Sequence, residues 1–546
     1  MSDDINNPKK YSELKSIYKY HIDSFTALYQ LKTDNDDELN SIYKMIKTNL
    51  IDSQNISPKT IAKSILIIIP YNNRYAKSYL KLAKLITDEY QVKEVKPIPD
   101  ISTYLFNKEY GIILNQSRYV KHFNTRNLDI HSENTIYRAI MYNDLEKFIF
   151  FTEQEEFDKN QKLSSQLYPI QAFSYNKYSL LELCCYHGAV DCFKLLRSKF
   201  NSEITQSCLE LSFLGGNKEI MSECLKYQKP NYQCMKHAII SHNIDFVTFL
   251  MNEYNIDIDL EYCGFYNNLD AFLVYYDQTN DITKCFVYSS IFNTPSLCEY
   301  FLSLGANINA KDIFGSTALH KAARSNCKET VEFLISRGAN INEKDNDEVT
   351  ALHEAVLIDS LEIFKILLSH GANINESTAL HLAVHDGSKE IVKLFISHGA
   401  NVNLKDEKGE TALVIATYLD NTELVELLLS HGSSVNYRDY CGHKCLINAV
   451  SYHNLEIVKL LLRYGANINE KDKYEDTALH QIAFYKSLFG DVETENKNKE
   501  IVEFLISHGA NINEKDGRGR TPLQVASDEN NKEIIDILVS HGANYQ

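Results

Sequence analysis

Gly-Ala-Asn-Ile-Asn stands at residues 305–309, 338–342, 371–375, 465–469 and 509–513. Weaker copies stand at Gly399–Asn403, Gly432–Asn436 and Gly542–Gln546. Successive glycines are 33, 33, 28, 33, 33, 44 and 33 residues apart. A second phrase, Thr-Ala-Leu-His, keeps step at 317–320, 350–353, 378–381 and 477–480. A fixed period of this size means an array of small stacked units, not a domain with one central core.

Each unit reads the same way. In one of them, Thr350–Leu357 is a first helix, Ile358–Leu361 a turn and Glu362–Ser369 a second helix. Gly371 follows, and a glycine just past a helix accepts the left-handed conformation without a Cβ clash. Asn309–Ser316, with Asp312 and Gly315, reads as a tight finger before the next helix. One unit has apolar faces on both sides, so only stacking can bury them. Leu319, Ala322, Val331, Leu334 and Ile335 form one core set; Leu352, Ala355, Ile363, Leu367 and Leu368 form the next. Alanines at 322, 355, 383, 416 and 449 permit close helix approach. Two units depart from the period. The finger is cut at Asn375-Glu376-Ser377, and eleven extra residues lie between Ala483 and Glu500. The extra stretch, polar around Gly490–Asn498, is expected to be a loop between two helices.

Upstream, a shorter rhythm runs through 131–283. A turn residue followed by an acidic residue recurs at Asn143-Asp144, Gly188–Asp191, Gly216–Glu219, Asn243–Asp245 and Asn268–Asp270. The steps are shorter than 33, which predicts helix pairs without the finger. Residues 1–130 show no repeat. Leu14, Ile17, Tyr18, His21, Phe25, Leu28 and Tyr29 fall on one helical face, and so do Leu80, Leu82, Leu85 and Ile86. The prolines of Val95–Pro99 break any helix there. This part is expected to be helical and of unknown role.

The formal net charge of −17 makes phosphate backbones poor partners, so no nucleic acid is expected. Met1–Asn7 is polar and acidic, and Ile65–Ile69 is far too short to span a bilayer. The expected setting is the cytoplasm, with the nucleus also open, where scattered cysteines stay reduced. No phosphate-binding loop, nucleophile elbow, His-Glu-x-x-His pair or kinase motif set is present. Histidines at 320, 353, 381 and 480 recur once per unit, which marks them as structural. The same holds for His370, His398, His431, His508 and His541, placed where an imidazole suits the negative end of a helix. Cys441, His443 and Cys445, with His453 nearby, have the donors for zinc, but no second cysteine pair answers them. Neither metal nor cofactor is expected, and the chain is read as no enzyme.

With phrase, period and helix stops in agreement, residues 284–546 resemble ankyrin repeats. Residues 131–283 resemble degenerate short units of the same kind. The whole resembles large protist ankyrin-repeat families in which a helical region precedes the array. The implied fold is all-α: a solenoid of stacked helix pairs with short β-hairpin fingers. The domains would be 1–130, 131–283 and 284–546. The implied function is a non-enzymatic scaffold that holds partner proteins in a concave groove. The alternative is a substrate-recognition subunit of an enzyme complex such as a ubiquitin ligase. Carried onto this chain, the groove positions at fingertips are Phe314, Asp347, Tyr440 and Tyr474; those at first-helix ends are Arg324, Ile358, Tyr418, Tyr452 and Tyr485. Tyr418, Tyr440, Tyr452, Tyr474 and Tyr485 are expected to form an aromatic stripe, since tyrosine is favoured at binding hot spots.

Overall fold

The computed structural model describes residues 11–115, 128, 132–169, 177–375, 377–438, 442, 444–484 and 492–544. The architecture is all-α, a solenoid of helix pairs. It falls into two compact units: Met1–Asn340 with Lys344–Asp347, and Ile341–Glu343 with Glu348–Gln546.

In the first unit the helix pairs begin with Ile136–Met141 and Leu145–Thr152. Leu180–His187 with Val190–Phe200, Gln206–Gly215 with Lys218–Leu225, Tyr232–Ile240 with Ile244–Tyr254, and Leu260–Phe265 with Leu269–Thr279 follow. Ile282–Ser289 with Pro295–Ser303, then Ala318–Arg324 with Lys328–Ser336, complete it. The links 201–205, 226–231 and 255–259 are too short for a finger, as the spacing predicts. The recurrent turn residue and polar partner have a plain cause. The turn residue takes the left-handed conformation, as at Asn143 and Gly188, and the next polar residue caps the second helix. Asp144, Asn217, Asn243 and Asn268 all accept backbone N–H groups this way. Among the described residues the only strands are Lys162–Ser164 and Lys177–Ser179, an antiparallel pair.

The same unit contains the N-terminal helices Tyr11–Ile17, Lys19–Tyr29, Asp36–Ile46, Pro58–Ile68, Ala76–Glu89 and Asp100–Tyr110. Phe25, Leu28, Leu50, Ile65, Tyr79, Leu82 and Phe106 form their core, which also takes in Ile240 and Tyr266 from the helix pairs. Of the face read from sequence, Leu14, Tyr18, His21, Phe25, Leu28 and Tyr29 are buried and Ile17 is exposed.

In the second unit each phrase of the sequence has a bonding role. The last Asn of Gly-Ala-Asn-Ile-Asn is a staple between neighbours. Asn342 Oδ1 accepts from Asn373 N–H at 2.8 Å, Asn375 from Asn401 at 3.0 Å, and Asn469 from Asn511 at 2.7 Å. The Thr and His of Thr-Ala-Leu-His close the start of the first helix. His353 Nδ1 accepts from Thr350 N–H at 3.0 Å and His480 Nδ1 from Thr477 N–H at 3.2 Å. That tautomer leaves Nε2–H to donate forward, from His353 to Thr378 Oγ1 (2.6 Å) and from His480 to Arg520 O (3.0 Å). Gln524 does the same work as His at the last first helix, where its Oε1 accepts from Thr521 N–H at 2.8 Å. Where Val414 stands instead, the buried Thr411 hydroxyl has no partner. The second set of histidines donates Nδ1–H to the last helical turn, as His370 to Ile366 O and His431 to Leu427 O, both at 2.8 Å. These bonds satisfy carbonyls the helix end leaves open.

The short fingers are turns closed by single antiparallel bridges, such as Lys405 with Thr411 and Arg438 with Lys444. Their shape is set by an aspartate that accepts two N–H groups across the turn, Asp472 from Tyr474 and Asp476 for example. The extra residues before Glu500 are not all loop. Residues 485–491 lie outside the described residues, but Val492–Ser507 is one helix. Glu493 and Glu495 in its first turn suit the positive helix end, and Glu493 pairs with Lys497 at 2.8 Å.

Candidate functional site

The last carbonyls of each first helix lack helical partners, and the residue before the left-handed turn residue stands at that open end. In the first unit this position is Tyr142, His187, Gly215, Ser241 and Tyr266 along the helix pairs. The N-terminal helices lie against this strip. Arg74 Nη2 donates to Met141 O and, at 3.1 Å, to His187 O. Gln30 Nε2 donates to His242 O at 2.9 Å and Ser241 O at 3.3 Å. Tyr29 stacks on His242 with ring centroids 4.2 Å apart, and Tyr71 meets Tyr266 edge to face, their hydroxyls 3.1 Å apart. Tyr266 is thereby only 4% exposed. Burial holds His242 well below its ordinary 6.5, at about 4, so it sits there neutral.

The corresponding positions of the second unit include Ile358, Leu419 and Tyr452; before the first two, Leu357 and Tyr418 are exposed. Tyr452 is 40% exposed, and Leu357, Tyr418 and Phe484 are exposed by half or more. Tyr418 and Tyr452 come from adjacent first helices and meet edge to face, centroids 5.4 Å apart. Such a pair holds both rings in place at little entropic cost to a binding partner. Tyr474 is exposed on its finger, with Lys473 Nζ 4.9 Å from the ring centre. Ile358 is half-buried, and Leu357 takes the outward place beside it. Leu357 and Phe484 carry the strip at positions for which sequence favoured a neighbour; the signal was their common offset of seven from Thr350 and Thr477.

Phe314, Arg324 and Asp347 belong to the first unit and are exposed. The finger bearing Phe314 rests on buried charges. Lys321 Nζ lies 3.1 Å from Asp312 and 2.7 Å from Glu261, and Tyr288 donates to Asp312 at 3.1 Å. Tyr440, Tyr485, Cys441 and His443 lie outside the described residues. Cys445 is buried, and among the described residues no group of three or more His, Cys, Asp or Glu side chains could hold a metal. The described cysteines are buried free thiols, and burial pushes Cys192 up to about 12.

The family described as ankyrin repeats (3 copies) matches residues 286–378, 373–439 and 446–546. These segments of the chain are ankyrin repeats. Residues 200–275 match a domain of unknown function, DUF3447, within the finger-less pairs. Among solved structures it is similar to the human ASB11 ankyrin repeat domain, at 22% identity and a TM-score of 0.34. That similarity covers 39% of this chain and 96% of the other. The chain matches no curated protein. No helix among its described residues is long and apolar enough to cross a membrane.

Proposed function

We propose that this protein is a non-enzymatic scaffold whose second unit binds partner proteins along its first-helix ends. The observation that carries the reading is the exposed strip of Leu357, Tyr418, Tyr452 and Phe484, with its fixed tyrosine pair. Aromatic anchors on a rigid helical scaffold have the make-up of a binding hot spot. The fingertip Tyr474 extends the surface. The test is capture of partner proteins by the full chain and by the variant Tyr418→Ala with Tyr452→Ala. The expected outcome is at least a tenfold drop in captured partner with an unchanged circular dichroism spectrum. Equal capture by both proteins refutes the assignment.

A further inference from the structure

The helix Pro58–Ile68 docks on turns between the helices of the first unit's pairs. Thr60 Oγ1 accepts from Asn326 Nδ2 at 3.4 Å, and Ser64 Oγ accepts from Asn267 Nδ2 at 3.3 Å. Lys63 follows Thr60 by three residues, so it shares that side of the helix. It is half-buried. Two other cations at this seam have partners: Lys15 pairs with Asp270 at 2.7 Å, and Arg74 donates to Met141 O and His187 O. Lys63 makes no hydrogen bond or ion pair among the described residues. The titratable groups within its reach are Lys59, whose charge repels it, and Cys327. No carboxylate of the described residues is within reach. Cys327 is buried, its thiol donates to Ile291 O at 3.1 Å, and burial pushes that thiol well up, so it stays neutral.

A half-buried ammonium without acceptor or counter-ion is poorly solvated, which favours the neutral amine. Burial and the charge of Lys59 pull Lys63 below its ordinary 10.5. Its Nζ is not sealed off from solvent. An amine activated by desolvation and a neighbouring cation is a nucleophile. We propose that Lys63 is a covalent modification site that takes an acyl group from an acyl thioester. The amine lone pair attacks the thioester carbonyl carbon, the C–S bond breaks, and the departing thiolate takes up the proton that the nitrogen sheds. The products are an amide on Lys63 and a free thiol. The amide carries no charge, so acylation removes an unpaired ammonium from the seam between the N-terminal helices and the turn at Asn326 and Cys327. The modification thereby tightens the cover over these turns.

The experiment exposes the full chain to S-acetyl-N-acetylcysteamine and follows each lysine by mass spectrometry over time and across pH. Lys365 and Lys408 are exposed and serve as references. Near neutral pH, Lys63 should be acetylated at least about threefold faster than either, and its rate should reach half-maximum below pH 10.5. Lys63→Gln removes the charge without the reagent. It should raise the melting temperature and slow limited proteolysis of the N-terminal helices, whereas Lys63→Arg should do neither. Acetylation of Lys63 no faster than that of the references, a half-maximum at or above pH 10.5, or a Lys63→Gln chain that melts no higher than Lys63→Arg overturns the proposal.

Discussion

Tyr266 and Tyr452 occupy the same place in their helix pairs, just before the left-handed turn residue. One is 4% exposed and the other 40%. In the first unit the first-helix ends at His187, Ser241 and Tyr266 are roofed by the chain's own N-terminal helices, through Tyr29, Gln30, Tyr71 and Arg74, while Tyr142 stays 47% exposed. In the second unit the equivalent ends carry exposed Leu357, Tyr418 and Phe484. The contrast teaches that this surface of a helix pair is suited to receive another helix. It offers open carbonyls for side-chain donors and room for an aromatic ring. The first unit shows that use within the molecule; in the second, among the described residues, Leu357, Tyr418, Tyr452 and Phe484 stay exposed.

The largest expected effect separates the units by acid. His21, His237 and His242 are buried in the first unit, and burial holds each at about 4 against an ordinary 6.5. The folded state therefore binds fewer protons than the unfolded chain between these values. Stability from the neutral form is present above pH 6.5 and is lost as pH falls through 4. Together the three groups should remove several kcal/mol, since each tenfold change in proton affinity is worth about 1.4 kcal/mol. Hydrogen exchange, corrected for intrinsic rate, should show residues 19–29 and 237–244 losing protection between pH 7 and pH 5. Protection unchanged over that range would contradict neutral burial.

Tyr266→Ala should cost roughly 3–5 kcal/mol, as for a large core side chain, because it removes the contacts of Tyr29 and Tyr71. Limited proteolysis should find the N-terminal helices more readily cleaved in this variant; equal cleavage would count against the roof. Within the second unit, Leu413 is fully buried, and Leu413→Ala should cost roughly 2–5 kcal/mol. A change under about 0.5 kcal/mol in a denaturant melt would place it outside the core. Val414→His should give the Thr411 hydroxyl the partner it lacks and stabilise by about 1 kcal/mol. A melt unshifted or shifted downward would show that the site cannot take the imidazole. At the small end, Tyr452→Ala should change stability by no more than about 1 kcal/mol, in contrast with Tyr266→Ala. A cost as large as that at Tyr266 would erase the distinction between a covered and an exposed strip.

Much of the fold was legible because its causes are local. The recurrent turn residue and cap at Asn143-Asp144 and Gly216-Asn217 mark second-helix starts, whatever lies elsewhere in the chain. The site was legible only in part. Tyr418 and Tyr452 could be placed at first-helix ends by counting, but the offset between Leu357 and Ile358 could not, since one residue turns a helical side chain by about 100°. The helix beginning at Val492 was hidden because its first turns are polar all round, and charge pairing, not apolar periodicity, supports it.

By itself the sequence determined the helix pairs, their order and their stops, because hydrogen bonds within a turn and between adjacent repeats depend on residues at fixed short separations. The tertiary structure alone decided which first-helix ends are covered. Tyr29 meets His242 and Tyr71 meets Tyr266 across about two hundred residues. Such contacts follow from complementary packed surfaces, and no local pattern in the chain encodes them.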